Sequence, residues 1–191
     1  MRMESLVKKL QNWYVNNFMT AKFRAKIFCL YSGGKKTIAC LLAILNDPQY
    51  SEFVIQAHYV HHIDYRNDFV VALEKVKKSL SYFQKNFPDR VIVSENQVNF
   101  SCLPARSALP NPVDIHLFVA RQIVAVDVNL RHVVMGFTHD DLTNPMLSKK
   151  IEAHFELLCS DSSIARQVKL LLPLRDTTVD EIISEVSQYI E

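Results

Sequence analysis

KIFCLYSGGKKTIACLLAILND, from Lys26 to Asp47, reads as strand, glycine turn and helix in immediate succession. An apolar run over Ile27 to Tyr31 comes first, Ser32-Gly33-Gly34 follows, and an apolar helix opened by Thr37 completes the stretch. These are two of only three glycines in the chain. Successive glycines let the backbone turn sharply at φ > 0 and aim several N–H groups into one concavity, at the positive end of the helix that follows. A Gly-Gly pair by itself fits an ordinary strand-to-helix turn equally well. The strand before it, the helix directly after it, and Lys35 and Lys36 in the turn itself favour a phosphate cradle.

Two common phosphate motifs do not fit. A Walker loop, GxxxxGK[ST], placed on Gly34-Lys35 needs glycine at Cys29 and Ser or Thr at Lys36, and a GxGxxG fingerprint has nowhere to go. Ser32, Gly33, Gly34 and Thr37 instead resemble the PP-loop, SGGxD[ST], of the ATP pyrophosphatases that cleave ATP between its α and β phosphates. Lys36 stands where that family has aspartate.

The 191-residue chain is long enough for one domain, or one with a small addition, and for a sizeable core. A formal charge of +2 gives no general basic field. Nucleic acid is therefore not an expected partner, the argument for it resting only on Lys22, Arg24, Lys26, Lys35 and Lys36 lying close in sequence. Cys29, Cys40, Cys102 and Cys159 are far apart and form no CxxC pair, so reduced thiols and a cytoplasmic setting are expected. The first apolar residues alternate with Lys8, Lys9, Gln11 and Asn12, which is not a secretory signal, and no run is long enough to span a bilayer.

Outward from the central stretch, residues 1–23 are read as a helical extension, with Leu6, Leu10, Trp13, Tyr14 and Phe18 at helical spacing, and 24–191 as the main domain. Pro48 stops the first core helix, and Phe53 to Val60 is a second strand. His58 and His62 share a strand face, but no other ligand lies at a zinc spacing, so no zinc site is expected. Asp64-Tyr65 closes that strand, a helix spans Asp68 to Phe83, and Val91-Ile92-Val93 is a short third strand. Asn96 to Asn111 reads as a long loop, of the kind used as a lid or binding loop. Pro112 opens a helix through about Asn129. His132 to Gly136 is the fourth strand and Phe137 to Pro145, FTHDDLTNP, its exit loop. A helix over about Leu147 to Cys159, a strand over Val168 to Leu172, and a last helix capped by Thr177 to Glu181 complete the chain. The alternation predicts an α/β fold: a doubly wound, Rossmann-like, mostly parallel five-stranded sheet. If its order is 3-2-1-4-5, the switch point brings together Ser32 to Thr37, Asp64-Tyr65 and Phe137 to Pro145.

From about Lys26 onward the chain resembles the 7-cyano-7-deazaguanine synthase branch of the PP-loop enzymes, of queuosine biosynthesis. Asp64-Tyr65, the apolar helix over Ile115 to Ala125, VVMGFTHDD and LLPLRDTTVDEII carry that likeness, segment by segment and in order. It implies a ligase-type enzyme that adenylates a substrate from ATP with Mg²⁺ and releases pyrophosphate. On that reading Ser32, Gly33, Gly34, Thr37, Asp64, Tyr65 and Gly136 bind the nucleotide, and Lys35, Lys36 and Asp140 are candidate catalytic groups. Asp140 and Asp141 would hold Mg²⁺, although a solvated loop accounts for them nearly as well. The likeness also allows a homodimer. Departures from it are Lys36 for aspartate, Asn111-Pro112-Val113-Asp114 for Pro-Gly-Arg-Asn, Asn144 to Ser148 for Tyr-Pro-Asp-Cys-Arg, and no zinc knuckle. Deazaguanine synthesis is therefore not expected of the chain unaided. Three roles stay open: a PP-loop enzyme for an unknown small-molecule or protein substrate, a homologue that binds ATP or AMP for regulation, and an interaction module that keeps only the fold.

Overall fold

The computed structural model describes residues 24–63, 69–99, 119–125, 127–160 and 167–186. Five strands, β1 (Lys26–Leu30), β2 (Val54–Ile63), β3 (Val91–Asn99), β4 (Leu130–Val134) and β5 (Lys169–Leu171), form one sheet in the order β3-β2-β1-β4-β5. All four pairings are parallel. The helices are α1 (Lys35–Asn46), α2 (Phe69–Asn86), α3 over residues 119–125, α4 (His139–Leu142), α5 (Pro145–Ser160) and α6 (Val179–Val186). The class and strand order expected from the alternation of strands and helices are those observed.

β1 shows why a central parallel strand reads as an unbroken apolar run. Successive side chains point to opposite faces. Ile27, Cys29 and Tyr31 enter a core with Ile38 and Leu41 of α1, Val76 and Phe83 of α2, and Ile182 of α6. Phe28 enters a second core with Ala120 and Val124 of α3 and with Leu130 and Val133 of β4, against which Phe155 of α5 packs. Helices thus cover both faces.

Two polar fasteners fix the ends. Lys26 Nζ donates to Asp127 Oδ2 at 2.7 Å, tying the start of β1 to the turn before β4. Arg90 donates to the carbonyls of Leu45 at 2.9 Å and Tyr50 at 2.7 Å, satisfying a C-terminal carbonyl of α1 from the start of β3.

The structure revises several boundaries. β3 runs to Asn99, so residues 96–99 pair with β2 where a loop was expected. The backbone of this edge strand is held by the ladder to β2, and pairing overrides the weak propensity of Ser94 to Asn99. The helix expected through Asn129 has already turned at Val128 and Asn129. The exit loop of β4 contains the four-residue α4. α5 starts at Pro145, because Asn144 Oδ1 accepts from the N–H groups of Met146 and Leu147 as an N-cap. The Thr177 to Glu181 cap is observed: Glu181 accepts from the N–H and hydroxyl of Thr178 at 2.7 and 2.8 Å. The N-terminal helix, Asp64-Tyr65 and residues 100–118 of the expected binding loop and helix lie outside the described residues. Among the described residues, no helix is long and apolar enough to cross a membrane.

Candidate functional site

Where β1 ends, its backbone stays fastened for one more residue: Tyr31 N–H donates to the His58 carbonyl at 2.7 Å. The Tyr31 hydroxyl donates to Ser79 Oγ of α2 at 2.7 Å, and Ser79 in turn donates to the carbonyls of Lys75 and Val76. Burial raises the Tyr31 phenol above its ordinary range, a rise that the Ser79 bond only partly opposes. It stays protonated as a structural donor.

Gly33 then turns the chain at φ +72, and a Cβ there would lie 2.6 Å from Val76 Cγ2 and 3.2 Å from Val76 Cα. Both backbone sign and space require glycine here. Gly34 differs. Its φ of −79 and ψ of 161 are extended, and an added Cβ would meet only the Ser32 hydroxyl at 3.4 Å. Of the pair expected to turn at positive φ, one glycine does so.

Gly34 is the N-cap of α1, which has no side-chain cap. Its carbonyl accepts from Thr37 N, Ile38 N and the Thr37 hydroxyl at 3.0, 3.1 and 2.9 Å. The Ser32 and Thr37 hydroxyls lie 3.4 Å apart, bracketing the helix start. The first-turn N–H groups of α1, including those of Lys35 and Lys36, therefore open at the positive end of a 12-residue helix between two hydroxyls. Lys35 is exposed beside them.

β4 lies next to β1, and its exit supplies the opposite wall. Gly136 lets it approach: a Cβ there would stand 3.3 Å from Cys40 Sγ and 3.4 Å from the Lys36 carbonyl. Two residues on, Thr138 is fully buried and begins α4 with a capping box. Asp141 Oδ2 accepts from Thr138 N–H and Oγ1–H at 2.9 Å each and from Lys36 Nζ at 2.6 Å. Burial pushes the Asp141 carboxyl up, but the Lys36 and Thr138 bonds together outweigh it and hold the group below its ordinary range. Asp140 faces elsewhere, its Oδ2 accepting from Val179 N at the start of α6 at 3.3 Å.

Ser32 to Thr37, Gly136, Asp140 and Asp141 thus gather at one end of the sheet, at the switch point, while Asp64 and Tyr65 lie outside the described residues. Val76, Ser79 and Thr138 were not anticipated as supports. Val76 lies at the inward spacing of its helix and Thr138 begins the Thr-x-x-Asp spacing of a capping box, while nothing in the sequence marks Ser79. The loop can bind an anion through backbone donors, hydroxyls and ammonium groups. The nearby thiols offer no nucleophile: burial pushes Cys29 up to about 12, and burial together with Cys29 raises Cys40 well above its ordinary value.

Magnesium, implied by the resemblance, prefers carboxylates together with phosphate oxygens. Asp141 Oδ2 is engaged by Lys36 and Thr138, and Asp140 Oδ2 by Val179 N–H. An ammonium beside a divalent ion opposes it by several kcal/mol even at an effective dielectric constant of about 20. Among the described residues, no three His, Cys, Asp or Glu side chains gather as a metal site. As arranged, the ammonium on Asp141 Oδ2 opposes a magnesium ion at this carboxylate. His58 lies buried against Phe28 at 5.2 Å between ring centroids, with Nδ1 2.7 Å from Ser94 Oγ. Burial lowers its pKa to about 4.

No protein-family model and no curated protein matches the sequence. Among solved structures, the U34-tRNA thiolase NcsA from Methanococcus maripaludis, determined with its [4Fe-4S] cluster, aligns over 96% of this chain at 16% identity with a TM-score of 0.52. The chain spans 63% of NcsA's length. A universal stress protein family member from Burkholderia pseudomallei aligns over 79% of this chain and 97% of its own at 18% identity, with a TM-score of 0.44. The α/β fold of this chain, with its parallel 3-2-1-4-5 sheet, is one it shares with the archaeal tRNA thiolase.

Proposed function

We propose that the chain is a PP-loop protein that binds the phosphate end of ATP or AMP at the exit of β1. The observation that carries this reading is the Ser32-Gly33-Gly34 turn, which opens the uncapped N-terminus of α1 between two hydroxyls at the switch point of the sheet. Ligands of doubly wound sheets bind there. Ser32 donates a hydroxyl bond, the first turn of α1 donates N–H bonds, and Lys35 adds charge, while the Thr37 hydroxyl stays on the Gly34 carbonyl and holds the turn. The fold shared with a tRNA thiolase is compatible with this assignment.

Two roles remain for such a site: adenylation of a substrate with release of pyrophosphate, and binding without turnover. The second is favoured by the Lys36–Asp141 pair, which sets an ammonium against the carboxylate that would otherwise face the cradle. Isothermal titration of ATP and AMP, with pyrophosphate assayed in the same samples, separates them. Ser32→Ala and Lys35→Ala are the variants of choice, since Gly33 and the Thr37 hydroxyl support the fold of the loop itself. Each is expected to weaken ATP binding about tenfold, the value of one charge-assisted hydrogen bond. Unchanged binding in both would sink the phosphate-cradle reading; pyrophosphate formed by the wild type would establish turnover.

A further inference from the structure

We infer that Lys36 occupies the role of a divalent cation, so that the loop takes the phosphate end of its nucleotide without metal. This rests on the phosphate-binding reading above and specifies its chemistry. Lys36 is the second residue of α1 and its ammonium is held 2.6 Å from Asp141 Oδ2. Asp141 is in turn fixed by both donors of Thr138, a residue with no exposed surface. The lysine is thereby preorganised: its long side chain is already oriented before a ligand arrives. An ammonium has three N–H donors, and the bond to Asp141 engages one of them.

Charge counting points the same way. Lys35 and Lys36 balance Asp140 and Asp141, so the site is neutral and its ammonium groups can meet a phosphate directly. With aspartate at position 36, as in the PP-loop pattern, the same four positions would carry two net negative charges. Such a site needs a cation between itself and the phosphate. In this chain the cation is covalently part of the loop, and a dication entering at Asp141 Oδ2 would have to displace it. The displaced ammonium would then stand with Lys35 beside the incoming metal, so metal entry is opposed twice.

The test is titration of ATP and inorganic pyrophosphate into the full chain, once in EDTA and once in magnesium chloride. Affinity in EDTA is expected to equal or exceed that in magnesium. Lys36→Ala is expected to lose about tenfold or more of the EDTA affinity and Lys36→Arg to retain most of it, the loss matching one charge-assisted bond. Lys36→Asp is expected to make whatever binding survives depend on magnesium. Circular dichroism and thermal melting confirm that each variant folds, and wild-type binding in the two buffers decides the matter even if one does not. Tenfold weaker wild-type binding in EDTA overturns the inference but leaves the phosphate cradle standing. So does unchanged EDTA affinity in a folded Lys36→Ala chain. Absence of ATP and pyrophosphate binding in both buffers overturns the cradle and the inference together.

Discussion

The loops that leave β1 and β4 meet at the same end of the sheet but are built by opposite means. The β1 exit is shaped by packing: Gly33 sits on Val76 with no room for a Cβ, and Tyr31 reaches under it to Ser79. The β4 exit is shaped by charge and hydrogen bonds: Thr138, Asp141 and Lys36 hold one another, and Asp140 reaches to α6. Sterics make the first wall intolerant of change. Electrostatics make the second wall adjustable, because a partly exposed ion pair contributes little to stability and can be re-formed with a ligand.

The sharpest way to break this contrast is Gly33→Ala. The positive φ and the close Val76 contact together predict a loss of roughly 2–5 kcal/mol in chemical denaturation, far more than any single change in the β4 exit. A variant as stable as wild type would show that packing does not fix the β1 exit.

The next largest effect is pH. His58, behind the β1 exit, is neutral in the folded chain because burial lowers its pKa to about 4. Its unfolded pKa is about 6.5, so the unfolded chain takes up the proton first as pH falls. Stability should drop by about 2 kcal/mol between pH 7 and pH 5, and His58→Gln should remove that slope. Asp141, held below its ordinary range, contributes stability that is intact above the usual carboxylate pKa and lost only as pH falls below it. The two walls are thus expected to fail in separate pH windows, and a single coincident acid transition would contradict the assignment.

Thr138→Val tests the β4 exit alone. It removes the hydroxyl that caps α4 and supports Asp141, for an expected loss of about 1 kcal/mol. Lys36→Met should change stability least, by less than about 1 kcal/mol, because the pair is partly exposed. The same variant should show the larger effect on phosphate binding. A strongly destabilised Lys36→Met chain would make the pair structural rather than poised for a ligand.

What could be read in advance follows the same division. β1, its glycine turn and α1 are consecutive, so an apolar run of strand length and a Gly-Gly pair before helical spacing announce them locally. Alternation of elements announces a parallel doubly wound sheet, whereas the order 3-2-1-4-5 entered as one arrangement among those that alternation allows and is the one observed. The Lys36–Asp141 bond joins residues 105 apart, and nothing local to either marks it. Gly33 and Gly34 look alike in sequence, and only the proximity of Val76 and the sign of φ separate them. β3 was cut short for a similar reason, since an edge strand whose ladder supplies its order needs little apolar pattern of its own.

The seating of Gly33 on Val76 and of Tyr31 on Ser79 also bears on motion. The floor of the cradle moves only if the 18-residue α2 moves with it, and Phe83, without exposed surface, anchors that helix in the core. A ligand arriving at the loop therefore meets a stationary floor and one compliant side, the Thr138 to Asp141 turn. Hydrogen exchange on ligand addition should slow in that turn and leave α2 unchanged, so that the first structural response to an anion is carried away from the glycines and toward the start of α6.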